Sequence, residues 1–65
     1  MLSLSELLLE EGDNLATFDE LKQAIQRTAI DRAELHFQVD IEPPAFSDRP
    51  SDWHDQLNIA FESAR

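Results

Sequence analysis

An α+β fold in one small domain, with the order helix, helix, strand, helix, is what the sequence predicts, and three observations predict it. Two Ser/Thr-x-x-Glu signals each open a stretch with apolar residues at three- and four-residue steps. One later stretch alternates strictly between apolar and polar residues. The whole chain is 65 residues long, enough for one core and no more.

The first helical signal is Ser3 with Glu6, after which Leu4, Leu7 and Leu8 share a face that Leu9 widens. Gly12-Asp13-Asn14 closes this segment with residues suited to turn geometry. Leu2-Ser3-Leu4-Ser5 also reads as a brief alternating strand, and periodicity over so few residues leaves both readings open. The second helix starts at the Thr17/Glu20 pair and runs from about Phe18 to about Ile30. Phe18, Leu21, Ala24, Ile25 and Ala29 lie on its inner face, with Lys22, Gln23, Gln26 and Arg27 outside. Asp19 and Glu20 suit the positive pole of its dipole, and Arg27 and Arg32 the negative one.

The period then changes from 3.6 to 2. Leu35, Phe37, Val39 and Ile41 alternate with Glu34, His36, Gln38, Asp40 and Glu42, the pattern of a strand buried on one face. Pro43-Pro44 ends it, since neither residue donates a backbone hydrogen bond. Phe46 to Pro50 reads as a loop. Ser51 or Asp52 then caps a last helix with Trp53, Leu57, Ala60, Phe61 and Ala64 inward, Asp52 and Asp55 in its first turn and Arg65 at its end. A single strand leaves its ladder groups without partners. Either the N-terminal residues supply a second short strand or another chain does so; the small core favours the second, most simply as an antiparallel ribbon of Leu35, Phe37, Val39 and Ile41 across a homodimer.

Composition narrows the function. Fourteen acidic residues against five basic ones give a formal net charge of −9, which repels phosphate backbones and anionic headgroups, so direct nucleic-acid binding is not expected. The longest apolar run, Leu7-Leu8-Leu9, is far short of a membrane span, which needs about 20 residues. The N-terminal region carries Glu6, Glu10 and Glu11 and no basic residue before Lys22, unlike a secretory signal. The chain is expected to remain in the cytoplasm, which the absence of cysteine also fits.

The inventory for catalysis is thin: no cysteine nucleophile, no tyrosine and one isolated glycine, Gly12. His36 and His54 have acidic neighbours but no recognised ligand spacing, and paired acids such as Glu10-Glu11 fall at helix ends where solvation and the dipole explain them. No Asp-Ser-Leu tripeptide supports an acyl-carrier reading, and residues 18–35 lack the turn and basic face of a helix-turn-helix. The chain is therefore read as a non-enzyme without metal or cofactor. It is expected to be a protein-binding regulator, an inhibitor, antitoxin-like antidote or adaptor, whose partner has a basic surface. The contact residues expected are Glu6, Glu10, Glu11 and Asp13, which steer encounter, with Leu8 and Phe46 as apolar anchors. The alternative is a nucleic-acid mimic whose carboxylates occupy the DNA- or RNA-binding groove of an enzyme.

Overall fold

A computed structural model describes residues 1–64. Strand β1 (Leu2–Ser3) runs directly into helix α1 (Leu4–Glu11), followed by a 3-10 turn over Gly12–Asn14, helix α2 (Phe18–Asp31), strand β2 (Phe37–Gln38) and helix α3 (Trp53–Ser63). The strand reading thus holds for Leu2 and Ser3 alone, and the helical one from Leu4 onward. Ser3 is extended, its hydroxyl accepts the Glu6 N–H at 3.3 Å, and the chain turns helical at Leu4.

The start of α2 is fully satisfied. Thr17 Oγ1 accepts the Glu20 N–H at 3.1 Å, and the Glu20 carboxylate accepts the N–H groups of Ala16 and Thr17 at 2.7 and 3.3 Å. The next two N–H groups, of Phe18 and Asp19, donate to the two oxygens of Asp48 at 2.7 and 3.1 Å. Asp48 therefore anchors the long β2–α3 loop to the positive pole of α2. At the other end the Glu34 N–H donates to the Ala29 carbonyl at 3.0 Å and the Ala33 N–H to Ile30 at 3.2 Å. This is the Schellman pattern, and it places Ala33 at φ 51°, a left-handed conformation that glycine normally supplies.

β2 departs most from expectation. The alternating stretch is paired only at Phe37–Gln38, and its partner is in the same chain: β1 lies parallel to it, Leu2 opposite Phe37 and Ser3 opposite Gln38, with Leu2 N–H donating to the His36 carbonyl at 2.9 Å. Of the two alternatives open to the strand, the one in which the N-terminal residues supply a short second strand is present within the chain. The ladder is short because Leu4 leaves it to begin α1, which limits β1 to two residues. The one-face-buried pattern is corrected. Phe37 and Val39 pack on the core, whereas Leu35 and Ile41, beyond the reach of β1, are 70% and 43% exposed.

The core gathers Leu2, Leu4 and Leu7 from the N-terminal elements, Phe18, Leu21, Ala24, Ile25 and Ala29 from α2, and Leu57 and Phe61 from α3. Each fully buried leucine contributes about 1.5–3 kcal/mol. The Phe37 ring stacks on Phe61 with centroids 5.4 Å apart, which ties β2 to α3. The α2 and α3 helices lie side by side and run in the same direction, as the paired contacts Lys22–Gln56 and Gln26–Ser63 require. Trp53 and Phe46 close the edge of the core, and the Arg49 guanidinium, over the Trp53 ring, donates to Glu42 and to the Pro43 carbonyl at 3.0 and 2.7 Å. Asp52 caps α3 without a side-chain bond to its backbone and instead accepts from the Gln56 amide at 3.0 Å.

Candidate functional site

The acidic residues of α1 face α2 rather than open solvent alone. Glu6 and Glu10, four apart on one face, both accept from Arg32, and Glu11 accepts from Arg27 at 2.6 Å and from the Thr28 hydroxyl at 3.3 Å. The hydrogen bond and charge of Glu10, then those of Glu6, raise the Arg32 pKa above its ordinary value. The arginines expected to serve the negative pole of α2 are thus directed to α1. With Asp13, which makes no ion pair among the described residues, the cluster holds four carboxylates and two guanidiniums, −4 + 2, or −2. Its field is weaker than the run of acids in the sequence implies.

Leu8 and Phe46 are both partly buried against the core, where the structure uses them as packing. The residue of the leucine run that faces outward is Leu9, 88% exposed. The structure brings Glu6, Glu10 and Glu11 together on the α1–α2 seam, and it does not bring Phe46 to them as part of one surface of exposed side chains. Asp40 and Asp48 have their pKa values lowered, Asp40 by hydrogen bonds from the Ser5 hydroxyl and N–H and Asp48 chiefly by the Phe18 N–H. Both act as caps. His36 and His54 are exposed, His54 stacked on Trp53 at 5.7 Å, and no group of three potential metal ligands occurs among the described residues. No helix among them is long and apolar enough to cross a membrane.

Two depressions lie along the α2–α3 seam. One hollow, of about 430 Å³, has walls that include Asp19, Lys22, Gln26, Asp52, Gln56 and Ser63, together with Ile59 and Ala60. Those polar walls already hydrogen-bond across the seam, Lys22 to Gln56 and Gln26 to Ser63. Toward the helix ends, a second groove of about 370 Å³ is lined by Ala29, Ile30, Ala33, Glu34, Leu35 and Ala64. It is mostly aliphatic, and Ile30 and Leu35 are 62% and 70% exposed in it. Sequence reasoning missed this groove because it placed Leu35 on a buried strand face and read Ile30 only as the end of a helix. A signal was present: Ile30 and Ile59 are large aliphatics outside the inner stripe of their helices.

Comparison with known proteins adds no further identification: the chain matches no family model, no curated protein and no solved structure at a significant level.

Proposed function

We propose that this chain is a protein-binding regulator, an inhibitor, antidote or adaptor, that docks on a protein partner through aliphatic side chains its own core does not use. One observation carries the reading. The chain has a closed core with no buried side-chain polar atom lacking a partner among the described residues, and Leu9, Ile30, Leu35, Ile41 and Ile59 nevertheless stand 43–88% exposed. Two of them, Ile30 and Leu35, line one groove. The net charge of −9 favours a partner with a basic surface through faster encounter and rejection of acidic competitors. β2 pairs with β1 of the same chain, so the homodimer has less support than the sequence gives it. The nucleic-acid-mimic reading also has less support, because three of the four acids in its densest run have intramolecular cationic partners.

Affinity capture from a lysate of the source cells, with the natural chain and Leu35→Asp side by side at two salt concentrations, tests the proposal. A protein retained by the natural chain at both salt levels and lost with Leu35→Asp is expected. Capture that is unchanged by the substitution and abolished by salt contradicts it.

A further inference from the structure

Among the described residues, no backbone-to-backbone hydrogen bond joins residues 41–49, in the β2–α3 connection, to the rest of the chain. The two such bonds they make are internal, from the Phe46 N–H to the Pro44 carbonyl at 2.8 Å and from the Arg49 N–H to the Phe46 carbonyl at 3.0 Å. The Arg49 guanidinium then closes the segment on itself, donating to Glu42 at 3.0 Å and to the Pro43 carbonyl at 2.7 Å. A short surface segment braced by its own side chains in this way is a compact loop that can move as a body. Pro43 and Pro44 fix two of its φ angles, which helps it keep its shape.

This segment is attached to the body through side chains. Asp48 holds it most firmly, because its two oxygens accept the Phe18 and Asp19 N–H groups at 2.7 and 3.1 Å, donors of the first turn of α2 that have no acceptor within the helix. Phe46 packs against the core, and the Arg49 guanidinium lies 5.8 Å from the centre of the Trp53 ring. Pro43 is buried and Phe46 and Arg49 are half-buried, whereas Ile41, Glu42, Pro44, Ala45, Ser47 and Asp48 are exposed. Just before the segment, Asp40 accepts the Ser5 N–H at 3.0 Å, which pins the end of β2 to the start of α1. We infer that residues 41–49 are a lid on the core, latched by Asp48 to the N-terminus of α2, and that the lid opens as one body while the helices stay folded. Opening withdraws Phe46 from the core and leaves the Phe18 and Asp19 N–H groups to water. The lid sits at the start of α2, the opposite end from Ile30, so the inference is independent of the docking reading.

Hydrogen exchange of the folded full chain across a series of low urea concentrations tests it. The amides of Phe18 and Arg49, on either side of the latch, are expected to share one opening free energy and one urea slope. Both should lie below the values shared by Ile25 and Leu57 in the core. Ala29→Gly, at the far end of α2 from the latch, weakens the folded helices relative to the unfolded chain. It is expected to speed exchange at Ile25 and Leu57 severalfold and to leave Phe18 and Arg49 unchanged. Asp48→Ala is expected to speed the Phe18 and Arg49 pair about tenfold or more, and Asp48→Asn, which keeps a neutral acceptor, to speed it less. Exchange of the pair at the core rate, or acceleration of the pair by Ala29→Gly, overturns the inference, because the segment then opens only when the chain unfolds. Unequal exchange of Phe18 and Arg49 with no dependence on urea also overturns it, since each amide then fluctuates alone. An unchanged pair in both Asp48 variants overturns the latch.

Discussion

Ala33 offers a stringent check on the fold at the edge of the groove lined by Ile30 and Leu35. An L-residue in the left-handed region crowds its Cβ against the following carbonyl, which costs about 1–2 kcal/mol. Ala33 adopts φ 51° there because the Schellman bonds from Glu34 to Ala29 and from Ala33 to Ile30 terminate α2 and redirect the chain into β2. Ala33→Gly relieves the crowding but gives the unfolded chain more freedom, which offsets about 0.4–1 kcal/mol of the gain. Because Ala33 is exposed, little packing is lost. A net stabilisation of about 0.5–1 kcal/mol is expected, or a rise of roughly 2–8 °C in Tm for a domain of this size. Chemical synthesis allows a sharper version: Ala33→D-Ala relieves the same crowding without loosening the unfolded chain, so its Tm should exceed that of Ala33→Gly. Thermal and urea melts measure both. A lower midpoint for both variants would refute the left-handed cap and with it the described exit from α2.

Other expectations concern the contacts that tie the elements together. Asp40 and Asp48 have pKa values below the ordinary 3.8, so their contribution to stability is present above the unfolded value and lost as pH falls through the folded one. Urea midpoints should therefore drop below about pH 4, and Asp48→Asn should flatten that drop while lowering stability at neutral pH. Arg32→Gln releases Glu6 and Glu10, and its destabilisation should be largest in dilute buffer and shrink near 1 M salt, where the screening length is about 3 Å. Phe37→Ala removes a half-buried ring stacked on Phe61 and should cost about 2 kcal/mol, read from urea midpoints. Sedimentation at tens of micromolar should show a monomer, since the two short strands pair with each other within one chain; a stable dimer would return the Leu35–Ile41 segment to an intermolecular role.

Elements with strong local codes were legible. The Thr17/Glu20 capping box and the Phe18-to-Ala29 stripe locate α2 within a residue of its observed end, because cap and period act over one or two turns. The inward set of α3, Leu57, Ala60 and Phe61, follows the same logic. The strand was misread where alternation was taken as proof of burial. Phe37 and Val39 are covered because Phe61 and the core lie behind them, whereas nothing covers Leu35 or Ile41, and a period of two carries no information about where the neighbouring element stops. The candidate site was less legible still. Glu6, Glu10 and Glu11 have no basic neighbours in sequence, yet Arg27 and Arg32 reach them from at least 16 positions away along the chain. Leu8 and Phe46 were expected to be anchors, and both are partly buried and packed against the core, a contact that no local pattern specifies. The groove depends on two parallel helices ending together, an arrangement set by long-range packing and invisible to any local pattern.

Association and dissociation rates on the captured partner, measured across a salt series, test the central claim most directly. The natural chain would be compared with Ile30→Asp, Leu35→Asp and the Asp31→Asn/Glu62→Gln pair, which removes two exposed carboxylates. If aliphatic side chains hold the partner and charge brings it in, Ile30→Asp and Leu35→Asp should speed dissociation about tenfold or more at every salt concentration. The Asn/Gln pair should chiefly slow association, and only at low salt. Unchanged dissociation in both aspartate variants, together with affinity that collapses as salt rises, would contradict the account and make the carboxylates themselves the contact surface.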